Sequence, residues 1–427
     1  MNSESFSAIR QLIAEIDDAV PRDQESQAAH ARRLFKLLGR DGGEVESIGE
    51  PMYRRTRIDE LGTWADDPWD GPTYGVDAST TRPMEYNNGL VVDTAHAKTG
   101  VTGDDTDRTI ERAGHIVATV YFDDDDSLLH GERFEHNHVT AELVCFPQST
   151  EEPRNISTSV ATVAQRLSES RQAVDSLDAI NGALFLDGSI LPLGIAYWVL
   201  LDHTGHRSPA GAWDLPADIL SNYIDVIDQQ YERGLPVIGI VKTSSMSQVL
   251  DALRTKIDTH DIRDDDGRLL SVPWVRDHQL MTEVLRFDDL EYLTYTSWFI
   301  HRGQEIKGER HEVLAPMADH LEHGDPADYR RAFCYVRLPK TGDLLRIEAP
   351  RLMVKDETKR EQVRLKALKE IAQRRGVPRA IHRADRLARI SQENRERIRD
   401  MIERTEASYD HNWDGRWSDL DSDIPEL

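Results

Sequence analysis

Two aspartates stand where a charge is expensive. Asp77 falls inside the strand-like segment TYGVDAS, and Asp187 ends ALFLDGSI, an unbroken apolar run of the kind buried on both faces of a sheet. A carboxylate at such a place is strongly destabilising unless it is paired, hydrogen-bonded or bound to a metal. Taken singly, each is explained by capping the turn that follows its strand. Between them lies a helical segment from Ile156 to Ala173, with Val160, Val163, Ala164 and Leu167 on one face and Arg166 and Glu169 towards its surface. A helix glutamate between two strand aspartates makes a shared site the stronger explanation.

The elements that must position these residues alternate between strand and helix, which predicts an α/β core. Strands are expected at TYGVDAS, at GLVVDTAHA and at HIVATVYF, three in succession as in a meander. ALFLDGSI, LGIAYWVLL and PVIGIVK are predicted as further strands, the last ending at Lys242, with a long helix from Asp218 to Glu232 before PVIGIVK. A helix near Asp277 to Leu285 precedes strands YLTYTSWFI, AFCYVRL and DLLRIEAP, and helices flank Gly376-Val377-Pro378. Asp277 is expected to cap its helix. Ahead of the core, Ile9, Leu12, Ile13 and Ile16 recur at helical spacing, so residues 1–65 are read as a helical N-terminal arm. Residues 70–404 form the main domain and 405–427 an acidic, mobile tail. The tract Asp123 to Asp126 and the histidines His130, His136 and His138 are read as solvated surface. Neither a Walker-type phosphate loop, nor a dinucleotide fingerprint, nor an internal repeat occurs.

Composition narrows the class. Cys145 and Cys334 are the only cysteines among 427 residues, too few for a disulfide framework or a four-thiolate zinc site, and both are expected to be buried small hydrophobes. No apolar run suits a membrane span and the N-terminus lacks the pattern of a secretory signal, so a soluble, cytoplasmic protein is expected. The formal net charge is −25, which at first sight opposes binding to nucleic acid. Only ten of the 52 basic residues are lysine, however, the balance of a salt-adapted proteome. In molar salt the Debye length is about 3 Å, so surface carboxylates do not repel at range. From Arg351 to Arg404 the chain carries 17 Lys and Arg against 9 Asp and Glu, a positive segment on a negative protein.

Strand Asp, antiparallel strands, helix Glu, strand Asp is the order of the ribonuclease H-like fold, whose acidic residues converge on divalent ions. GVDAS at Gly75 to Ser79, FLDGSI at Phe185 to Ile190, VIGIVKTS at Val237 to Ser244 and RIEAP at Arg346 to Pro350 follow in the order seen in NurA nucleases. VPRAIHRADRLARIS, containing His382, resembles their carboxy-terminal motif. The chain therefore resembles the NurA family from about Tyr74 to Ile402. That resemblance implies an α/β, ribonuclease H-like mixed sheet with flanking helices. It also implies a homodimer around DNA, dependence on manganese or magnesium with two ions per site, and work beside the hexameric HerA-type ATPase in end resection. The family's metal ligands would fall on Asp77, Glu169, Asp187 and His382, although Glu169 by its residue type alone is equally a surface glutamate. Lys242 would meet a phosphate or the developing charge. Arg346, Arg374 and Arg375 are candidate DNA contacts, and Arg337 a weaker one. Arg346 and Glu348 are expected on alternate sides of one strand, one towards DNA and one bracing the site, or joined as an ion pair. The other classes considered are a NurA-like clamp that holds DNA for the ATPase and another ribonuclease H-like nuclease.

Overall fold

The computed structural model describes residues 3–19, 24–103, 108–122, 131–148, 155–242 and 246–404. The acidic tract at 123–126, His130 and the tail at 405–427 lie outside them. The chain begins with helix α1 (Ser3–Ala19), which leaves Leu12, Ile13 and Ile16 exposed, and α2 (Gln24–Lys36). Strands β1 (Val45–Ser47) and β2 (Tyr53–Arg57) and the short α3 (Ile58–Gly62) follow. The stretch predicted as a helical arm thus also supplies two strands of the main sheet. Next come β3 (Thr73–Thr80), β4 (Met84–Glu85), β5 (Val91–Thr102), β6 (Gly114–Tyr121), β7 (Glu132–His136) and β8 (Val139–Cys145). Then α4 (Ile156–Ser176), β9 (Ala183–Asp187), α5 (Leu193–His203), α6 (Leu215–Glu232) and β10 (Val237–Val241) build the centre. The chain continues with α7 (Gln248–Thr259), α8 (Asp277–Val284), β11 (Tyr292–Thr296), β12 (Phe299–His301) and the hairpin β13 (Gln304–Ile306) and β14 (Glu309–His311). Strands β15 (Arg331–Arg337) and β16 (Leu344–Pro350) precede the closing helices α9 (Arg351–Val354), α10 (Glu357–Arg374), α11 (Arg379–Ala388) and α12 (Gln392–Glu403).

All strands except that hairpin join one mixed sheet, and its centre runs β16-β10-β9-β3-β5-β6. Strands β3, β5 and β6 form the expected antiparallel meander, while β9 and β10 lie parallel to β3. That is the ribonuclease H-like arrangement. The parallel pair needs crossover helices. The chain provides α4 before β9, then α5 and α6 before β10, and its core residues Leu184, Phe185, Leu186, Val237, Ile238 and Ile240 are fully enclosed.

Two predicted strands take another form. LGIAYWVLL is the helix α5, because Ile195, Ala196, Val199 and Leu200 bury one helical stripe and the Ala196 amide bonds back to the Pro192 carbonyl at 3.0 Å. A uniformly apolar run carries no periodicity by which a buried helix differs from a buried strand. YLTYTSWFI divides into β11 and β12, which pair with successive parts of β15. Cys334 is buried as expected, and Cys145 is half-buried. Among the described residues no helix is long and apolar enough to cross a membrane.

One close approach decides where the last segment of the chain goes. Gly75 on β3 and Gly100 on β5 are cross-strand partners, and α11 lies directly on them. A Cβ on Gly75 would stand 2.4 Å from the Ala380 carbonyl carbon, and one on Gly100 would stand 2.5 Å from the Ala384 amide nitrogen. Glycines below and alanines at i, i+4 above let a helix backbone rest on a sheet. Side chains alternate along β5, so Thr99 points to the opposite face, where its hydroxyl meets Ser176 of α4 at 2.8 Å. The sheet is therefore gripped between α4 and α11.

Because the neighbours of Gly75 are main-chain atoms that cannot swing aside, Gly75→Ala should destabilise the protein by about 1–3 kcal/mol, the cost of overpacking a core. It should also weaken divalent-metal binding by displacing α11. Thermal melts with and without manganese would check this, and an unchanged melt would show that the helix is not tightly seated.

Candidate metal centre

Val76 of β3 is paired in parallel register with Leu186 of β9, so the next residues on each strand, Asp77 and Asp187, are lateral neighbours one strand spacing apart, about 4.8 Å. Gly188 then turns the chain at φ 121, a conformation that disfavours a side chain. Glu169 comes from α4 and is buried, not on the surface. Lys242, just past the end of β10, reaches back to Asp187 with Nζ to Oδ2 at 2.5 Å. His382 and Asp385 project from α11, which the glycine contacts hold over β3. Asp77, Glu169, Asp187, Lys242 and His382 thus come from five elements spread over three hundred residues of chain and share one neighbourhood.

Its electrostatics are strained. Burial, and then the negative charges of Asp187 and Glu169, push the Asp77 carboxyl up to about 8, against the pull of Lys242 and with a further push from Asp385. Glu169 is also raised, by burial first and then Asp187, although Arg166 donates to its Oε2 at 2.8 Å and opposes the rise. The other oxygen of Glu169, Oε1, is buried without a hydrogen-bond partner. The His382 imidazole is held below its usual range by partial desolvation and the nearby Arg374, Arg386 and Lys242, against Asp385, and so favours the neutral form that ligates metals.

An orphaned carboxylate oxygen and a carboxyl that resists ionisation fit a divalent cation. Such an ion would relieve both. The donor set, three carboxylates and an imidazole, suits manganese, with Asp385 as a further oxygen nearby. The donor atoms are neighbours and not a closed coordination shell. Among the described residues, the metal-competent triple within 4.8 Å of one another is Glu232, Glu322 and His323, elsewhere on the molecule. Lys242 and Arg166 meanwhile neutralise Asp187 and Glu169.

Behind Asp187 lies a brace. Glu348 on β16 accepts from the Ser189 hydroxyl at 2.6 Å and the Ile190 amide at 3.3 Å, which fixes the turn after Asp187. Arg346 meets Glu348 at 2.5 Å and Arg331 meets it at 3.4 Å, all three side chains being buried. The expectation that Arg346 and Glu348 face opposite sides fails, because residues two apart on a strand share a face. Burial would raise the Glu348 carboxyl, but the two guanidinium groups hold it below its ordinary range.

The remaining candidates are more scattered. Arg374 ends α10 near His382, while Arg375 takes a left-handed conformation at the helix end and faces Glu291 at 3.7 Å. Arg337 donates to the Phe287 carbonyl at 3.3 Å. The Asp277 carboxylate caps α7 rather than α8, accepting from the Val249 and Leu250 amides at 3.1 and 3.0 Å. His136 and His138 are exposed, as expected. Asp385 was not singled out from the sequence, and Arg166 was read only as a surface residue of its helix. Each lies three residues from a chosen ligand on the same helix face, and that spacing is the signal that could have found them.

A family model for the NurA domain matches residues 71–390. No curated protein sequence matches. Among solved structures, the NurA nuclease from Sulfolobus solfataricus is 12% identical, with 99% of each chain covered and a TM-score of 0.48. A NurA bound to dAMP and manganese is 11% identical over 79% of this chain and 89% of that one, with a TM-score of 0.41. A NurA with manganese is likewise 11% identical, over 82% and 96%, with a TM-score of 0.39.

A carboxyl whose folded value is raised binds protons that the unfolded chain releases, so its contribution to stability falls as pH rises between the ordinary aspartate value and the folded value of about 8. Asp77→Asn should therefore stabilise the metal-free protein at pH 8 by more than about 1 kcal/mol relative to pH 4, while removing the stabilisation that manganese gives the parent. Denaturant melts at the two pH values, with and without metal, read both effects. Equal stabilisation at both pH values would mean that Asp77 is not forced to ionise against its neighbours.

Proposed function

Because the chain belongs to the NurA family, whose model spans most of its length, we propose that it is a divalent-metal nuclease that hydrolyses phosphodiester bonds in DNA. The observation that carries this reading is the pair of buried carboxylates Asp77 and Glu169 beside the half-buried Asp187, whose mutual repulsion is only partly offset by Lys242 and Arg166. Asp77, Glu169, Asp187 and His382 would hold two manganese ions, with magnesium as the alternative. The relative crystallised with dAMP binds a nucleotide and manganese, and the same ligand classes are proposed for this chain.

The bound ions would supply Lewis acidity and lower the pKa of water for attack on phosphorus. The chain's own groups do the rest. Asp77 and Asp187, on adjacent strands, fix the centre to the most rigid part of the sheet. Glu348, through Ser189 and the Ile190 amide, keeps Asp187 from turning away. The Lys242 ammonium can exchange its contact with Asp187 for a non-bridging phosphate oxygen and stabilise the extra negative charge of the transition state. Arg374 and Arg375 at the end of α10 would meet phosphates beside His382. Buried Arg346 would act on the site through Glu348 instead of touching DNA.

A homodimer that encloses DNA, and a HerA-type hexameric ATPase that feeds DNA ends to it for resection in double-strand break repair, complete the proposal. Membership of the family supports both.

The test is degradation of DNA in molar potassium chloride with manganese. Asp187→Asn should reduce the rate at least a hundredfold without loss of folding. His382→Ala should lower manganese affinity, and His382→Asp should restore activity in part and shift preference towards magnesium, since it exchanges a nitrogen donor for oxygen. Near-parental cutting by Asp187→Asn would remove the centre from catalysis and leave a DNA-holding clamp. Unaltered manganese affinity in His382→Ala would leave a carboxylate-only site.

A further inference from the structure

A hollow of about 390 Å³ lies between the end of α8 and the edge strand β2, and the charged residues lining it are all arginines: Arg32, Arg55 and Arg286, with Arg54 at its edge, since it alternates with Arg55 on β2 and also borders a hollow beside α10. On a chain with net charge −25 this is exceptional. Arg54 and Arg55 are exposed and make no ion pair among the described residues. Arg55 instead lies against aromatic rings, its guanidinium carbon 4.5 Å from the centre of Phe287 and 5.7 Å from that of Tyr292. The two rings pack edge to face at 5.6 Å. Arg32 lies over Tyr53 at 5.2 Å in the same hollow. Acidic groups stay at its rim, where Glu283 pairs with Arg286 and Asp288 sits in the following loop.

Strand register ties the hollow to the metal centre. Val241, beside Lys242, is level with Arg346; Arg337 on β15 is level with Leu344 on β16 and with Thr294 on β11; and Thr294 is level with Arg55 on β2. Tyr335, Arg337, Thr294 and Arg55 occupy alternate or directly opposed positions and so share the face on which α8 packs, where Thr294 donates to the Leu285 carbonyl at 2.8 Å. A second hollow of about 240 Å³, lined by Lys242, His278, Thr282 and Arg346, fills the interval beside α8. From Asp187 on β9 to Arg55 on β2 is five strand spacings, about 24 Å, or at most about seven nucleotides at the rise of a DNA strand.

We propose that the hollow between α8 and β2 holds unpaired bases of the DNA strand whose phosphodiester is presented at Asp77 and Asp187. A guanidinium laid on a ring exposes a flat, cationic outer face, which accepts any base by stacking while meeting the adjoining phosphate. Phe287 and Tyr292 are half-buried and back the exposed Arg55 guanidinium, whose face is open to an unpaired base but not to bases that stay stacked inside a duplex. The surface therefore selects single strands without reading their sequence. This rests on the nuclease reading only for what lies at the far end of the strand.

The test uses the full chain with Arg54→Ala and Arg55→Ala combined, and separately Arg55→Lys, which keeps the charge but not the planar face. Fluorescence anisotropy with a twelve-nucleotide single strand and with a blunt duplex, in EDTA, reads binding. Manganese-dependent hydrolysis of bis(p-nitrophenyl) phosphate reads the metal centre alone. The double variant should bind the single strand about tenfold more weakly, bind duplex within twofold of the parent and hydrolyse the small diester normally, with Arg55→Lys between the two. Unchanged single-strand affinity overturns the proposal. Equal losses for strand and duplex overturn its selectivity and leave a general phosphate-binding patch. A parent that cleaves neither DNA nor the small diester defeats the nuclease reading, while the anisotropy still decides this one.

Discussion

Mutual repulsion among buried carboxylates is the constraint around which this molecule is arranged. Asp77 and Asp187 are neighbours by strand register, and Glu169 is enclosed with one oxygen unbonded. Asp77 and Glu169, both enclosed and both pushed up by burial and by the neighbouring Asp187 charge, do not ionise freely there without compensation. Lys242 and Arg166 supply part of it through single contacts with Asp187 and Glu169. Neither pairs directly with Asp77, which Lys242 influences only at range. The remainder is stored as a demand for positive charge, which a cation satisfies by drawing the carboxylates together.

Holding repelling groups in place requires a rigid frame, and the frame is built from two devices. One is the Gly75 and Gly100 platform, which lets α11 lie with its backbone against the sheet and carries His382 and Asp385 over β3. The other is the Arg331, Glu348 and Arg346 cluster, fully enclosed, in which two guanidinium groups share one carboxylate and that carboxylate holds Ser189. A buried ion cluster adds little net stability compared with apolar packing, but removing one member leaves uncompensated charge. Its value here is positional. It makes the turn after Asp187 part of the core.

Charge is distributed to match. The excess of acidic residues lies on the outside, whereas the positive groups that matter to a polyanion line hollows on one face of the sheet: Lys242 beside α8, and Arg32 and Arg55 at its end. A phosphate backbone would meet concentrated local charge from groups lining these hollows, while the distant surface carboxylates are screened by salt.

The sequence by itself determined the α/β class, the antiparallel meander, the parallel strands after α4 and α6, and the two aspartates, because strand period, apolar burial and strand-end charge are local properties. It also supplied the family resemblance that pointed to Glu169 and His382. It misplaced α5, since a uniformly apolar run has no period to read, and of its two readings of Arg346 and Glu348 the ion pair is the one observed, because residues two apart on a strand share a face. Only the tertiary structure decided that Glu169 is enclosed and not on the surface, that Lys242 rests on Asp187, that Asp385 joins the group, and that Arg55 on β2 lies in register with Thr294 and Arg337. Those facts depend on how distant segments stack, and stacking is set by glycine gaps and strand register between partners that no local pattern names.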